Sequence, residues 1–222
     1  MTPTTTAKLR GLAVVIFIGA WAFIAHHGSA GGGNNDLHAA LGIAPIGLFL
    51  ALLLWRLPSL PLRIAAGLTG LAGLAALWPL VRQNIPLLYY LQHLGAHLAL
   101  GTFFGRSLIG PDEALITRIA RSIYDGTISA RKVRYTRQVT ILWTAFFFGN
   151  ALLSTGLFLF APAEVWSMHA NLLTWPLVGL LFAAEHLWRM HALPPEERPG
   201  LWQIISTFRR HSQRRDPAAP RS

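Results

Sequence analysis

The sequence contains no cysteine. Disulfide bridges, thiolate metal centres and cysteine nucleophiles are therefore excluded, while the compartment stays open. Charge is scarce as well: 13% of residues are charged and only 9 are acidic, too few to solvate an ordinary soluble domain of this length. A glycine-rich phosphate loop, a Gly-x-Ser-x-Gly elbow and a His-Glu-x-x-His zinc helix are all missing. No internal repeat is visible, which gives no support to an inverted-repeat transporter.

What is present is hydrocarbon. Apolar residues make up 53% of the chain and mean hydropathy is +0.43, the composition of an integral membrane protein. The formal charge of +10 then reads first as an orientation signal and second as attraction to anionic lipid, with nucleic acid excluded as a partner. Apolar stretches at about 12–25, 38–55, 62–80, 85–104, 138–160 and 171–188 predict an all-α polytopic fold with six transmembrane helices over residues 1–190. A basic amphipathic tail follows at 191–222.

The sharpest boundary is at 131–148, where Arg131, Lys132, Arg134 and Arg137 give way to an apolar helix and Trp143 is expected as an interfacial anchor. Placing both termini inside puts every Lys and Arg except Arg82 on the cytoplasmic face, so span count and orientation support each other. Residues 105–138 then form a cytoplasmic connection. Within it Pro111-Asp112-Glu113 predicts a helix start and Gly126 its end, and Leu115, Ile116, Ile119 and Ile123 predict a short amphipathic helix along the membrane surface. In the tail, Leu201, Trp202, Ile204, Ile205 and Phe208 precede four arginines and predict a second such segment, with 217–222 disordered. The first apolar stretch has a rival reading as a cleaved signal peptide ending near Gly28-Ser29-Ala30, and in either case the glycine- and asparagine-rich loop to Asp36 lies outside. Ala66, Gly67, Gly70 and Gly73 predict a helix-packing face, and Pro162, Glu164 and Trp166 a short outer turn.

Candidate chemistry sits in the fourth span, where His93 and His97 are four residues apart on one face with Tyr89, beside Gln92, about 12 Å deep for His93. Intramembrane histidines are functional candidates because burying them is costly. Interhelical hydrogen bonding is their commoner role, and proton or substrate chemistry the next. A haem is least supported, since two histidines on one helix cannot bind opposite faces of one iron and His26, His27, His38, His169 and His186 are expected nearer the two surfaces. Asn150 and Ser154 on the fifth span are placed to face Gln92, His93 and His97 across the bundle and line a polar pocket with them, with polar helix glue as the plainer alternative. Glu185 and Arg189 have the spacing of a helical ion pair. His26, His27 and His38 gather near the outer loop, where exposed histidines are commoner than metal ligands, so no metal or cofactor is expected. On the inner side Arg118, Arg121, Arg131, Lys132, Arg134 and Arg137 exceed what orientation needs, and an anionic partner is expected there: phospholipid headgroups first.

The segments Tyr135-Thr136-Arg137-Gln138-Val139-Thr140 with Trp143 and Phe146-Phe147, and Phe104-Gly105-Arg106-Ser107-Leu108 with Leu115-Ile116-Thr117, carry a family likeness. They resemble a family of bacterial inner-membrane proteins similar to the small membrane component of aryl polyene and xanthomonadin pigment clusters. Trp166-Ser167 and Asn171 near Pro176 extend the resemblance. It implies a role in making or exporting a lipid-linked polyene, and it makes an acidic acyl carrier protein a possible partner for the arginine cluster. It implies no catalytic residues. The expectation is an inner-membrane accessory protein, both termini cytoplasmic, that scaffolds or hands over a hydrophobic product. The alternatives are an acyl-transfer or redox enzyme using His93, His97 and Asn150, and a small lipid transporter.

Overall fold

The computed structural model describes residues 5–30, 35–123 and 127–198. The tip of the glycine loop, the expected helix end at Gly126 and the expected tail segments lie outside them. The described chain is all-helical. In order it forms α1 (Thr5–Ser29), α2 (Asn35–Trp55), α3 (Leu60–Gln83), α4 (Ile85–Arg106), α5 (Leu115–Ile123), α6 (Ala130–Phe160), α7 (Ala163–Ser167), a π-helical segment (Met168–Leu173), α8 (Thr174–Ala192) and a 3-10 turn (Pro195–Glu197).

Among the described residues, five helical stretches are long and apolar enough to cross a membrane: 11–29, 36–55, 60–83, 130–160 and 163–192. The sixth expected span, α4, falls short on composition and not on length. Its 22 residues reach about 33 Å, enough for a hydrocarbon core of about 30 Å. Tyr89, Tyr90, Gln92, His93 and His97 lower its hydropathy.

The α2–α3 hairpin follows from local chemistry. Arg56 and Leu57 turn back onto the carbonyls of Leu53 and Leu54, Ser59 in extended geometry opens α3, and Pro61 occupies its first turn. The hairpin closes through Arg63, whose Nε donates to the Leu57 carbonyl at 3.0 Å. Asp36 at the start of α2 receives Trp78 Nε1 at 3.2 Å and pairs with Arg82 at 3.3 Å, so the one cation expected on the outer face has its own carboxylate.

Three expectations about element shape need correcting. The basic segment 131–137 does not precede the fifth span but forms its first turns: α6 is one helix of 31 residues, about 46 Å, because Ser129 caps it by accepting the Lys132 amide at 3.0 Å. The outer turn at 162–166 is instead α7, with Trp166 only 1% exposed. α5 begins at Leu115, not at Pro111, since Ser107 supplies the cap by accepting the Leu115 amide at 2.9 Å. Gly110, at φ 111°, makes the turn between.

The chain divides into two compact units. The first takes residues 1–95 and 151–177, the second 96–150 and 178–222. In the first, three alanines, Ala25, Ala39 and Ala170, form a core with Ile85, Tyr89 and Trp166, and Tyr90 stacks on Phe158 with centroids 4.1 Å apart. α3 buries none of its residues, and Gly67, Gly70 and Gly73 have no neighbour within 4 Å of a built Cβ, so the expected packing face is not used within the described chain. In the second unit the core is aromatic. Trp143 is 6% exposed and packs against Phe104, Phe147 and Phe182, so it is a core residue and not the interfacial anchor expected from its position. Glycines that do permit close helix approach include Gly42 in the first unit, where a built Cβ would meet Leu88 at 2.8 Å, and Gly101 and Gly105 in the second, where it would meet Phe148 and Thr144 at 3.1 and 3.2 Å.

Candidate functional site

The polar residues of α4 are each spent on a separate partner. Gln92 Nε2 donates to the Gly42 carbonyl at 2.9 Å, and Tyr90 Oη meets Thr155 Oγ1 at 3.0 Å. His93 Nε2 lies 3.2 Å from Thr174 Oγ1, which donates its own hydrogen to the His169 carbonyl at 3.0 Å. The hydroxyl therefore accepts from His93, which fixes the proton on Nε2. His97 Nε2 meets Asn150 Nδ2 at 2.7 Å, while Ser154 accepts from Trp166 Nε1 at 3.0 Å. Of the expected set, His97 and Asn150 bond to each other, whereas Gln92, His93 and Ser154 bond to Gly42, Thr174 and Trp166. The expectation that no other span brings a histidine to the depth of His93 is corrected: the His169 ring sits edge-on to His93, centroids 6.0 Å apart. The π-helical segment explains the placement, because its wider turn bonds the Thr174 amide to the His169 carbonyl five residues back and rotates His169 inward.

At the end of α1, Ser29, Ser167, His26 and Asn171 make a closed network. Ser167 Oγ lies 2.8 Å from His26 Nδ1 and 2.7 Å from Ser29 Oγ, and Asn171 Nδ2 donates to Ser29 at 2.9 Å. A serine beside a histidine invites a nucleophile reading, but Ser29 and Ser167 are fully buried and donate to helix carbonyls of α1. The pair is a helix-end clasp. His38 is buried as well, its ring against Gly28, and is not the exposed loop histidine expected; His27 alone of the three is exposed. Among the described residues no three His, Asp or Glu side chains come together to hold a metal.

The second unit contains a feature the sequence did not single out. α5 docks on α6 through hydroxyls: Thr117 and Thr136 Oγ1 atoms are 2.8 Å apart, and the Ile116 amide donates to Thr140 Oγ1 at 3.3 Å. Leu115, Thr117 and Ala120 take the buried side, while Ile119 is 43% exposed. Ile116, Ile119 and Ile123 line a half-open cavity of about 210 Å³ together with Val139 and Trp143 of α6 and Phe182 of α8. One end is polar. Tyr135 Oη donates to the Glu185 carboxylate, which Arg189 also grips with Nε at 3.1 Å and with Nη2. Lys132 reaches the wall too, its Nζ donating to the Glu197 carbonyl at 2.6 Å.

The expected cation cluster therefore divides. Lys132 is 4% exposed and faces inward, and Arg121 holds Glu113 through two bonds of 2.6 Å. The Arg121 guanidinium keeps the Glu113 carboxyl below its ordinary range. Arg118, Arg131, Arg134 and Arg137 remain exposed. The Glu185–Arg189 pair was legible from its spacing; Tyr135 as its third member had no sequence signal. Compared with protein-family models, curated proteins and solved structures, the chain finds no match.

Proposed function

We propose that this protein is a bacterial inner-membrane accessory protein, without catalysis of its own, that holds a hydrophobic chain at the α5–α6–α8 cavity and hands it on. The observation that carries the reading is the cavity itself: a mostly apolar pocket whose polar lining groups, Tyr135, Glu185, Arg189, Lys132 and Thr136, each bond within the protein. Such a site retains a chain and has no spare group aimed at a reacting atom. The enzyme alternative is weaker, because His93 bonds to Thr174 while His97 and Asn150 bond to each other, so the three are not gathered on one reacting atom.

The topology that goes with it has α4 as a sixth span and both termini cytoplasmic. In support, every polar side chain of α4 from Tyr89 to His97 has a bond inside the protein, the condition for keeping such groups in lipid. Aryl-polyene-type biosynthesis, with an acyl carrier protein docking at the exposed arginines, is the setting the resemblance implies.

The test is photolabelling in native membranes with a fatty chain carrying a terminal diazirine. Label concentrated in peptides of α5, α6 and α8 supports the reading. Label spread in proportion to lipid exposure, with α3 the most heavily marked, refutes it.

A further inference from the structure

We propose that the first unit binds a lipid-soluble quinone, in its oxidised form, in a pocket at the middle of the membrane with Trp21 and Trp175 as its hydrogen-bond donors. The pocket shares no residue with the α5–α6–α8 cavity, so the proposal stands apart from the chain-holding reading.

Depth sets the first limit. The pocket measures about 350 Å³, and its lining includes Phe17 and Trp21 of α1, Pro45 and Leu48 of α2, and Trp175 of α8. The membrane-crossing stretches 11–29, 36–55 and 163–192 have their middles near residues 20, 45 and 177, and every lining residue falls within about three positions of one of them. Tryptophan ordinarily belongs at the two membrane surfaces, where its N–H meets water or headgroups. Here two of them sit at hydrocarbon depth. A phosphate or carboxylate head stays at the interface, about 15 Å away, so the occupant is a molecule that is lipid-soluble along its whole length.

Hydrogen bonding sets the second. Trp78 and Trp166 give their indole hydrogens to Asp36 and Ser154. Among the described residues Trp21 and Trp175 give theirs to no group of the protein, and lipid tails offer no acceptor. An indole nitrogen donates and cannot accept, and the other lining side chains are hydrocarbon, so the side chains of the pocket present two donors and no acceptor. That pattern fits a ligand with acceptors only. A quinone carries two carbonyl acceptors on a flat ring and no donor, whereas a quinol or a sterol brings a hydroxyl hydrogen that these side chains cannot receive. The rings of Phe17 and Trp21, centroids 6.4 Å apart, and of Trp175 supply aromatic surface for such a ring. A cavity of about 150 Å³ holds one benzene, so about 350 Å³ takes a substituted ring and the first part of its tail.

The experiment measures saturable binding of tritiated decylubiquinone to the full chain in a nonionic detergent, with unlabelled decylubiquinone, decylubiquinol and decylbenzene as competitors. The quinone should compete about tenfold better than either of the others, the worth of one or two hydrogen bonds in hydrocarbon. In the double variant Trp21→Phe, Trp175→Phe, which keeps the rings and removes both donors, the three should compete alike. Ala44→Trp, which fills the pocket from an exposed position in its wall, should weaken all three. Competition by the quinol or by decylbenzene equal to that by the quinone on the native chain overturns the inference, as does an undiminished quinone preference in the double variant. Binding that does not saturate also overturns it, and a fatty chain that still labels α5, α6 and α8 then leaves the chain-holding reading standing.

Discussion

The two units solve one problem with different chemistry. The first must bury hydroxyls, amides and imidazoles, and it does so with neutral hydrogen bonds between helices, as at Ser29–Ser167–Asn171 and His93–Thr174. The second buries formal charge, with Tyr135, Glu185 and Arg189 in one cluster beside a cavity. Neutral networks are cheap to bury and close on themselves, whereas a buried ion pair depends on every member.

That contrast orders the expected effects. Glu185→Ala strands Arg189 and Tyr135 and should cost about 3 kcal/mol, read as a lowered unfolding midpoint in detergent. Glu185→Gln, which keeps a partner for Tyr135, should cost less. A Gly28→Ala change should cost about 2 kcal/mol, because its Cβ would fall 2.9 Å from the His38 Cβ and closer still to the ring; Gly67→Ala, with nothing within 4 Å, should be neutral or slightly stabilising in the same assay. In the first unit Ser167→Ala should cost only about 1 kcal/mol, the size of a neutral intramembrane bond. If Ser167→Ala proves as damaging as Glu185→Ala, the contrast between the units fails.

The smallest effect is a pH dependence at α5. Glu113 is held below its ordinary 4.5 in the fold by Arg121, so the pair's contribution is complete above that value and is lost as pH falls through the lower folded pKa. Hydrogen exchange at α5 amides should quicken on that acid limb, and Glu113→Gln should abolish the change. An unaltered limb in the variant would remove the pair from the account.

The sequence made some of this legible and hid the rest for physical reasons. The all-helical class and the five long apolar helices follow from apolar length, and Glu185–Arg189 from helical spacing. Trp143 misled because an aromatic residue after a basic run suits both an interface and a core, and only the phenylalanines around it decide. Gly67, Gly70 and Gly73 looked like the packing face, yet Gly42, Gly101 and Gly105 do that work, since spacing shows which residues share a face and not whether another helix covers it. The division of the arginine cluster was equally hidden: Lys132 turns inward only because the chain after α8 returns its Glu197 carbonyl to the start of α6. The cavity needed three elements distant in sequence, and no motif records it.

The account depends most on α4 crossing the membrane with its polar side chains paired within the protein. Because the chain has no cysteine, single cysteines report side directly. Gln83→Cys, just before α4, and Ser122→Cys, on α5, are exposed and flank the helix in sequence. With a membrane-impermeant maleimide on intact cells, Gln83→Cys should label and Ser122→Cys should label only after permeabilisation. Labelling of both, or of neither, from outside would put the ends of α4 on one face and contradict the account.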